Sequence, residues 1–565
     1  MKKTNITILS IAATSFLLAS PPSGGDIEKQ VIVPKIVQEK EGINNEIPDF
    51  SPKPSEISPK ITQESSLQEV AKVNISHIEY KGNKYISKEE IDDLVKGYLG
   101  KSYSFDELKG IALVVTNYYR NKGYFVARAY IPPDGIKDDT LSLGIIEGNY
   151  GEFTLKNNSL VNDTKVQGML DAIKDENIIS VNTLERAMLL INDTPGAKVT
   201  KADIMPGELV GTSDFLIETQ STNPYTSYII GDNYGSRYTG KYRFNLGLVA
   251  NSPFGYGDKL SINGLLSTTN DLKNGKVSYG FPLMNNGLRG ELSASKTTYS
   301  LAKEYKALDA IGDATTLEAK LSYPMIRTRQ ETLNLSMGIA HKDMEDKIRS
   351  ADITTKKEAK VLTVGTDYER NWTFFGFNTN TKSSLNISHG NLKFDDAIAK
   401  AQDAAGAKTA GSYSKLFGSI EKSVQLNPTY SLTTSLRFQK ALSGKNLDGS
   451  EDFSLGGAYG VRAFPDGEHS AENGYIIGAE LFYTMPSIKG ISHRASIFAD
   501  TGYAKMENQL GDNKSRQLSD IGVGYQASFK EFFTKVQVAR VIGGEKVTSE
   551  PEYSTRALIQ LGWVY

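Results

Sequence analysis

Apolar residues fall at every second position in segment after segment of the C-terminal part of the chain, from about residue 221 to residue 565. Phe244, Leu246 and Leu248 alternate with Asn245, Gly247 and Val249. Leu333, Leu335, Met337 and Ile339 alternate with Asn334, Ser336 and Gly338, and Ile521, Val523 and Tyr525 with Gly522, Gly524 and Gln526. At the end of the sequence Ala557, Ile559, Leu561, Trp563 and Tyr565 share one face, against Leu558, Gln560, Gly562 and Val564. A period of two is the signature of β-strands, and helical periodicity almost vanishes over this stretch. In a water-soluble sandwich the apolar face points to a core. In a membrane barrel it points to lipid, and the polar and glycine face lines a wet interior. An array of sandwiches stays open on the pattern alone. The aromatic end, the many Tyr, Phe and Gly residues, and the lack of any second core-forming element favour the barrel. At about 21 residues for each strand with its turn or loop, residues 221–565 hold roughly sixteen antiparallel strands.

Residues 73–220 are patterned differently. Val73–Tyr80 reads as a strand and Gly82-Asn83 as a turn. Ser87…Glu90 and Ser104…Glu107 have the spacing of capping boxes, each opening a helix. Ile91, Leu94, Val95 and Tyr98 form one helical face, and Leu108, Ile111, Val115, Tyr118 and Tyr119 the next. Phe125, Ala127, Ala129 and Ile131, then Leu141, Leu143 and Ile145, alternate as two strands. The order recurs in residues 149–220. It runs through a strand at Tyr150–Leu155, a helix with Val166, Met169, Leu170 and Ile173, and a helix with Leu184, Met188 and Ile191 opened by Asn182. Strands at Val199–Ile204 and Phe215–Thr219 close it. Two tandem βααββ modules, 73–148 and 149–220, are therefore expected, the alternative being one α+β domain.

The first residues read as a secretory signal peptide, 1–20: Lys2 and Lys3, an apolar run from Ile6 to Leu18, then Ala19 and Ser20. Residues 21–72 are rich in proline and polar residues and read as a linker, in which Ile27–Val37 is a candidate short plug helix interrupted at Pro34. Lys+Arg is 64 and Asp+Glu 66, a net charge of -2, so electrostatics make no case for nucleic acid as a partner. The chain has no cysteine, which excludes thiol nucleophiles, Cys-ligated metals, disulfides and a lipoprotein anchor. His77, His341, His389, His469 and His493 never fall at ligand spacing, and no GxSxG occurs. Neither a cofactor nor an enzymatic activity is expected.

Several motifs then carry a resemblance to a known family from about Val73 to Tyr565. Gly123-Tyr124, Arg128-Ala129-Tyr130-Ile131-Pro132 and Glu147-Gly148 are similar to the first POTRA module of the outer-membrane transporters of two-partner secretion, the haemolysin activation/secretion proteins of the Omp85 superfamily. Leu184-Glu185-Arg186-Ala187, Asn192-Asp193, Pro195-Gly196, Pro206-Gly207 and Gly211-Thr212-Ser213-Asp214 resemble its second. Asp232-Asn233-Tyr234-Gly235-Ser236, Tyr242-Arg243 and the run Asn251 to Asp258 look like the first barrel strands, and Tyr323-Pro324 with Arg327 like a mid-barrel strand. Val461-Arg462-Ala463-Phe464-Pro465 resembles the VRG(Y/F) motif of the extracellular loop that folds into the barrel, with Ala463 in place of the family glycine. Phe498-Ala499-Asp500-Thr501-Gly502 matches the F-x-D-x-G motif of the barrel wall.

The resemblance implies a transmembrane barrel in the bacterial outer membrane, residues 221–565, with two POTRA domains in the periplasm. It implies an ion pair between Arg462 and Asp500 inside the lumen, and Trp563 and Tyr565 as the C-terminal signal for barrel assembly. The implied activity is passage of a large unfolded partner, an adhesin, a cytolysin or a haem-acquisition protein, to the cell surface. Outer-membrane lipid, lipopolysaccharide and the barrel-assembly machinery are the other expected partners. The alternative is an Omp85-type assembly factor, although such proteins usually carry three or more POTRA modules. If the family glycine serves a left-handed backbone, Ala463 costs about 1 kcal/mol or more there.

Overall fold

The computed structural model describes residues 22–23, 26–27, 45–48, 72–174, 178–508 and 515–565. The expected signal peptide and most of the linker, including nearly all of the candidate plug helix, lie outside the described residues. Asp26 and Ile27 are helical. Ile27 is fully buried with Leu265, Leu272, Tyr299, Leu301 and Ala310 of the barrel.

The first module runs β1 (Val73–Ile75), β2 (His77–Lys81), α1 (Lys88–Val95), β3 (Lys101–Tyr103), α2 (Phe105–Asn121), β4 (Arg128–Tyr130), β5 (Ile136–Lys137) and β6 (Thr140–Ile146). Its main sheet has the order β2-β6-β4, with β2 parallel and β4 antiparallel to β6. A short β1-β3 pair is an addition to the expected order. Helix α2 starts in a complete capping box between Ser104 and Glu107. At α1 only half of the box forms: Ser87 Oγ accepts from the Glu90 amide, while Glu90 turns to Tyr118 and Lys122. Both helices lay their apolar faces on the sheet through Ile91, Val95, Leu108, Ile111 and Val115.

The second module repeats this topology. β7 (Asn149–Asn158), α3 (Asp163–Asp171), α4 (Val181–Asn192), β8 (Lys198–Pro206) and β9 (Thr212–Gln220) form a β7-β9-β8 sheet under two helices. The cap of α4 is Ser180, whose hydroxyl accepts from the Thr183 amide, and not Asn182 as expected. Phe125 corrects a second expectation. It lies outside β4 and is buried in the second module's core with Phe153, Leu184 and Phe215, so it joins the modules instead of lining the first. The Val181 amide also donates to the Gly123 carbonyl at 3.0 Å.

Sixteen antiparallel strands then close into a barrel, from Tyr225–Asp232 to Thr555–Val564. The seam pairs Tyr228 with Val564 and Asp232 with Gln560. Alternation sorts the side chains as expected. Phe244, Leu246 and Leu248 face outward, each nearly half exposed, while Leu558, Gln560 and Val564 are buried on the inner side. Strand length grows around the barrel, reaching Ile353–Phe374. One helix, α5 (Ala397–Ala405), sits in a loop at the far end from the modules; its cap is Asp396. No described helix is long and apolar enough to cross a membrane, which bears only on helices.

Candidate functional site

The barrel's longest loop, residues 442–472, joins strands Tyr430–Ala441 and Asn473–Ile488 at the end away from the modules. It folds back into the lumen. Leu455, Val461, Ala463 and Phe464 are fully buried against Ile476, Phe498, Ala504, Leu518 and Ala539 of the barrel wall. Inside, the loop is stiffened by the pairing of Phe453–Ser454 with Ser470–Ala471 and by the Val461 amide on the Leu455 carbonyl at 2.8 Å.

At its tip the structure brings the two loop and wall motifs together. Arg462 Nε donates to Asp500 Oδ2 at 2.7 Å and Nη2 to Asp500 Oδ1 at 3.1 Å. Nη1 donates to Glu480 Oε2 at 2.8 Å. The guanidinium lies 3.5 Å from the centroid of the Phe498 ring. A planar cation thus has a two-point carboxylate on one edge, a second carboxylate on another and an aromatic face beneath, which suits arginine and not lysine. Gly502 lets the loop approach the wall: a Cβ there would meet Leu455 Cδ2 at 3.1 Å and Ile476 Cγ1 at 2.9 Å. Gly522 makes room for Phe498 in the same way, since its Cβ would strike that ring at 2.3 Å.

Ala463 sits without the left-handed backbone that the family glycine raised as a concern, as it is not among the described residues with positive φ. Its amide donates to Asp520 Oδ2 at 2.6 Å. The Phe464 carbonyl accepts from Arg556 Nη1 at 2.5 Å, and Pro465 follows in the turn that leads to Glu468. Further ties run to other parts of the wall. Asp448 takes Lys357 at 2.7 Å, and Glu451 takes Lys342 and Lys415 at 2.8 Å each. Glu468 takes Arg516 at 2.5 Å together with Thr548 and Ser549 of another loop. The loop therefore crosses the lumen, with anchors on both sides.

Glu480, Asp520, Glu451 and Glu468 stand in no motif of the sequence. Glu480 was within reach: it lies in phase with Ile476 and Gly478, opposite to the exposed Tyr475 and Ile477, so parity puts it inside. The loop carboxylates carry no such periodic signal.

A second site lies at the module end of the barrel, where the second module meets the barrel turns. Asp193, which caps α4, receives Arg327 Nε at 2.6 Å and Nη2 at 2.8 Å. Arg327 Nη1 donates to Asn45 Oδ1 at 2.8 Å, which brings the linker to the same point. Glu185 accepts from the Arg329 amide at 2.5 Å, and Arg186 donates to the Pro324 carbonyl at 2.7 Å with its guanidinium over Tyr323. Leu184 points the other way, into the module's core. Gly196, next to Pro195, touches the first barrel turn. The Gly196 carbonyl accepts from Leu160 and Thr222, and a Cβ on Gly196 would meet Ser252 at 2.8 Å. The motifs of the second module and of the mid-barrel strand are thus two halves of one junction.

The first module's motif residues stand apart from both sites. Gly123 ends α2 with φ +97°, and the Tyr124 ring sits 6.1 Å from Tyr119 and 6.3 Å from Tyr85. Arg128 is exposed on β4, and the Tyr130 ring lies over Gly144. Glu147 is buried and accepts from the Lys84 and Tyr85 amides and the Tyr119 hydroxyl at 2.8, 2.9 and 3.0 Å. At the other end of the chain, Trp563 and Tyr565 stack at 5.8 Å beside the barrel seam.

The model of the haemolysin secretion/activation protein family ShlB/FhaC/HecB matches residues 211–527, and that of the ShlB-type POTRA domain matches residues 73–148. The chain is 28% identical over 454 residues to the heme/hemopexin transporter protein HuxB of Haemophilus influenzae strain 86-028NP, covering 79% of each. It is 21% identical over 416 residues to the outer membrane transporter CdiB of Dickeya dadantii, covering 72% of each. The solved structure of CdiB from Escherichia coli shares the fold with a TM-score of 0.77 at 18% identity, over 97% of this chain and 100% of that one. With POTRA modules in the periplasm, a closed sixteen-stranded barrel and a family match over more than half its length, the chain belongs to the haemolysin secretion/activation protein family ShlB/FhaC/HecB, the outer-membrane transporters of two-partner secretion.

Proposed function

We propose that the POTRA modules capture an unfolded, exported partner protein and that the partner then leaves through the barrel once the loop 442–472 has moved aside. The observation that carries this reading is the loop itself. It crosses the lumen, yet it is held at its tip by side chains, Arg462 with Asp500 and Glu480, and not by strand pairing with the wall. Side-chain anchors can be exchanged without unfolding the barrel. The edge strands of the module sheets, β2 and β4 in the first and β7 and β8 in the second, offer backbone donors and acceptors to an extended segment, which gives sequence-tolerant affinity. Movement is driven by folding of the partner outside the cell, which opposes backsliding.

The likeness to the heme/hemopexin transporter protein of Haemophilus influenzae supports a haem-acquisition protein as the partner class, ahead of an adhesin or a cytolysin. Lipopolysaccharide around the barrel and the barrel-assembly machinery acting on Trp563 and Tyr565 complete the proposed partners. Deletion of residues 73–148 tests the reading. The truncated chain is expected to insert in the outer membrane and to secrete nothing; secretion at the full-length level would refute it.

A further inference from the structure

The outer face of the barrel carries a hollow of about 980 Å³ between the strands Leu272–Pro282 and Phe377–Phe394. Two adjacent rows of outward side chains line it. Cross-strand pairing runs Tyr279, Leu292, Ala319, Ile339, Leu362, His389 in one row, and Val277, Ala294, Leu317, His341, Lys360, Asn391 in the next. Leu292, Leu317 and Ile339 are each more than half exposed, while Ala294 and Ala319 between them are short. Two alanines among larger apolar side chains make the depression. On a lipid-facing surface it is filled by hydrocarbon, held by dispersion contacts that a flat wall does not offer.

Both rows become polar at the same end. Strand Ile353–Phe374 starts at the extracellular side, and toward that side its outward positions change from apolar, at Val364 and Leu362, to charged, at Lys360 and Glu358. Lys360 therefore stands at the outer edge of the hydrocarbon. The row above it runs Lys296, Thr315, Asp343, Glu358, Lys393. His341 is taken by Asp343 at 3.2 Å and Glu358 at 3.6 Å. Lys360 holds Glu358 at 3.0 Å but is 68% exposed, and an ammonium has three donors, so it keeps donors for an anion. His389 uses only Nδ1, on Ser414 at 2.9 Å. Lys393 is exposed.

We propose that this hollow is a binding site for an outer-leaflet glycolipid of the lipid A type: acyl chains lie over Ala294 and Ala319, and phosphates rest on Lys360 and Lys393. The site rests on the barrel reading but not on the route of the secreted partner. Its occupant is anionic because the rim's uncommitted donors are cations, and lies in the outer leaflet because those cations stand at the extracellular end.

The full-length chain, purified in detergent micelles doped with bisphosphorylated lipid A or with phosphatidylglycerol, is examined by native mass spectrometry. The wild type is expected to retain lipid A and to lose phosphatidylglycerol. Lys360→Gln with Lys393→Gln, and separately Ala294→Leu with Ala319→Leu, are each expected to lower retention at least fivefold. Heat-modifiable migration is the check on folding. The lysine variant needs no repacking and decides the matter if the alanine variant fails to fold. Wild-type retention in the lysine variant, or equal retention of phosphatidylglycerol, would overturn the proposal. So would a dimer of the wild type that the alanine variant abolishes, because a second copy would then be the occupant. Secretion is read separately, so loss of lipid with secretion intact leaves the transport reading untouched.

Discussion

Asp193 and Arg327 close a two-point ion pair between a periplasmic helix and a barrel strand, at 2.6 and 2.8 Å, with the arginine side chain only 1% exposed. The same guanidinium holds Asn45 of the linker. Module, barrel and linker therefore meet on one cation.

This arrangement makes the two single substitutions unequal. Asp193→Ala leaves a guanidinium that is almost wholly out of water, and loss of one partner of a buried pair costs about 3–5 kcal/mol. Arg327→Ala leaves Asp193, which is 29% exposed and can be hydrated, so its cost is smaller. Amide exchange over α4 should rise in both variants, more in Asp193→Ala, and secretion should fall in the same order at matched barrel levels. Exchange over α4 at the wild-type rate in both variants would show that the pair does not hold the module to the barrel.

The loop anchor gives an ordered series. Arg462→Ala leaves both Asp500 and Glu480 without their cation, whereas Asp500→Ala leaves Arg462 with Glu480 and the Phe498 ring. Secretion should fall more in Arg462→Ala than in Asp500→Ala, with normal insertion of both. The double variant should be no worse than Arg462→Ala, because the residues act as one unit. Additive defects measured at matched membrane levels would mean that the pair does not work as a latch.

Glu147 has a structural task in the first module. Glu147→Ala strips hydrogen bonds from the Lys84 and Tyr85 amides and from the Tyr119 hydroxyl. Each buried group left unsatisfied costs about 1–3 kcal/mol, less where water can enter. Hydrogen exchange at Lys84 and Tyr85 should speed up by at least tenfold while the barrel amides stay protected. Unchanged exchange at those two amides would contradict the assignment.

Removal of Val564-Tyr565 takes away one end of the seam, the pairing of Val564 with Tyr228, and the hydrogen bond from the Tyr565 amide to the Ser227 carbonyl. The amount of heat-modifiable barrel in the outer membrane should drop. Tyr565→Phe in the full-length chain keeps those backbone bonds and an aromatic ring, and should keep the wild-type amount. Assembly of the truncated chain at the full level would leave the two residues as an interfacial aromatic pair only.

Legibility followed periodicity. The outward faces of the barrel strands, such as Phe244, Leu246 and Leu248, could be read because lipid imposes one requirement on every second residue. The helices of the modules were legible for the same reason at a different period, through Leu108, Ile111 and Val115. Alternation says that the Phe125 side chain is buried but not in which of two adjacent cores. The half-formed cap at Ser87 failed for a related reason: Glu90 has competing partners, Tyr118 and Lys122, which are remote in sequence. Arg462 and Asp500 were paired only through a family likeness, and the same likeness had nothing to say about Glu480 or Asp520.

The sequence by itself determined what repeats: strand and helix periods, the two-module order, the change to alternation after the modules, and the approximate number of strands. These are local rules, enforced residue by residue by lipid or core. The tertiary structure alone decided which isolated charges meet. Asp193 with Arg327, Glu451 with Lys342 and Lys415, and Glu468 with Arg516 join segments far apart in the chain. A single carboxylate in a loop has no period to betray its partner, and its place is fixed only when barrel closure and the return of the loop bring a cation to it.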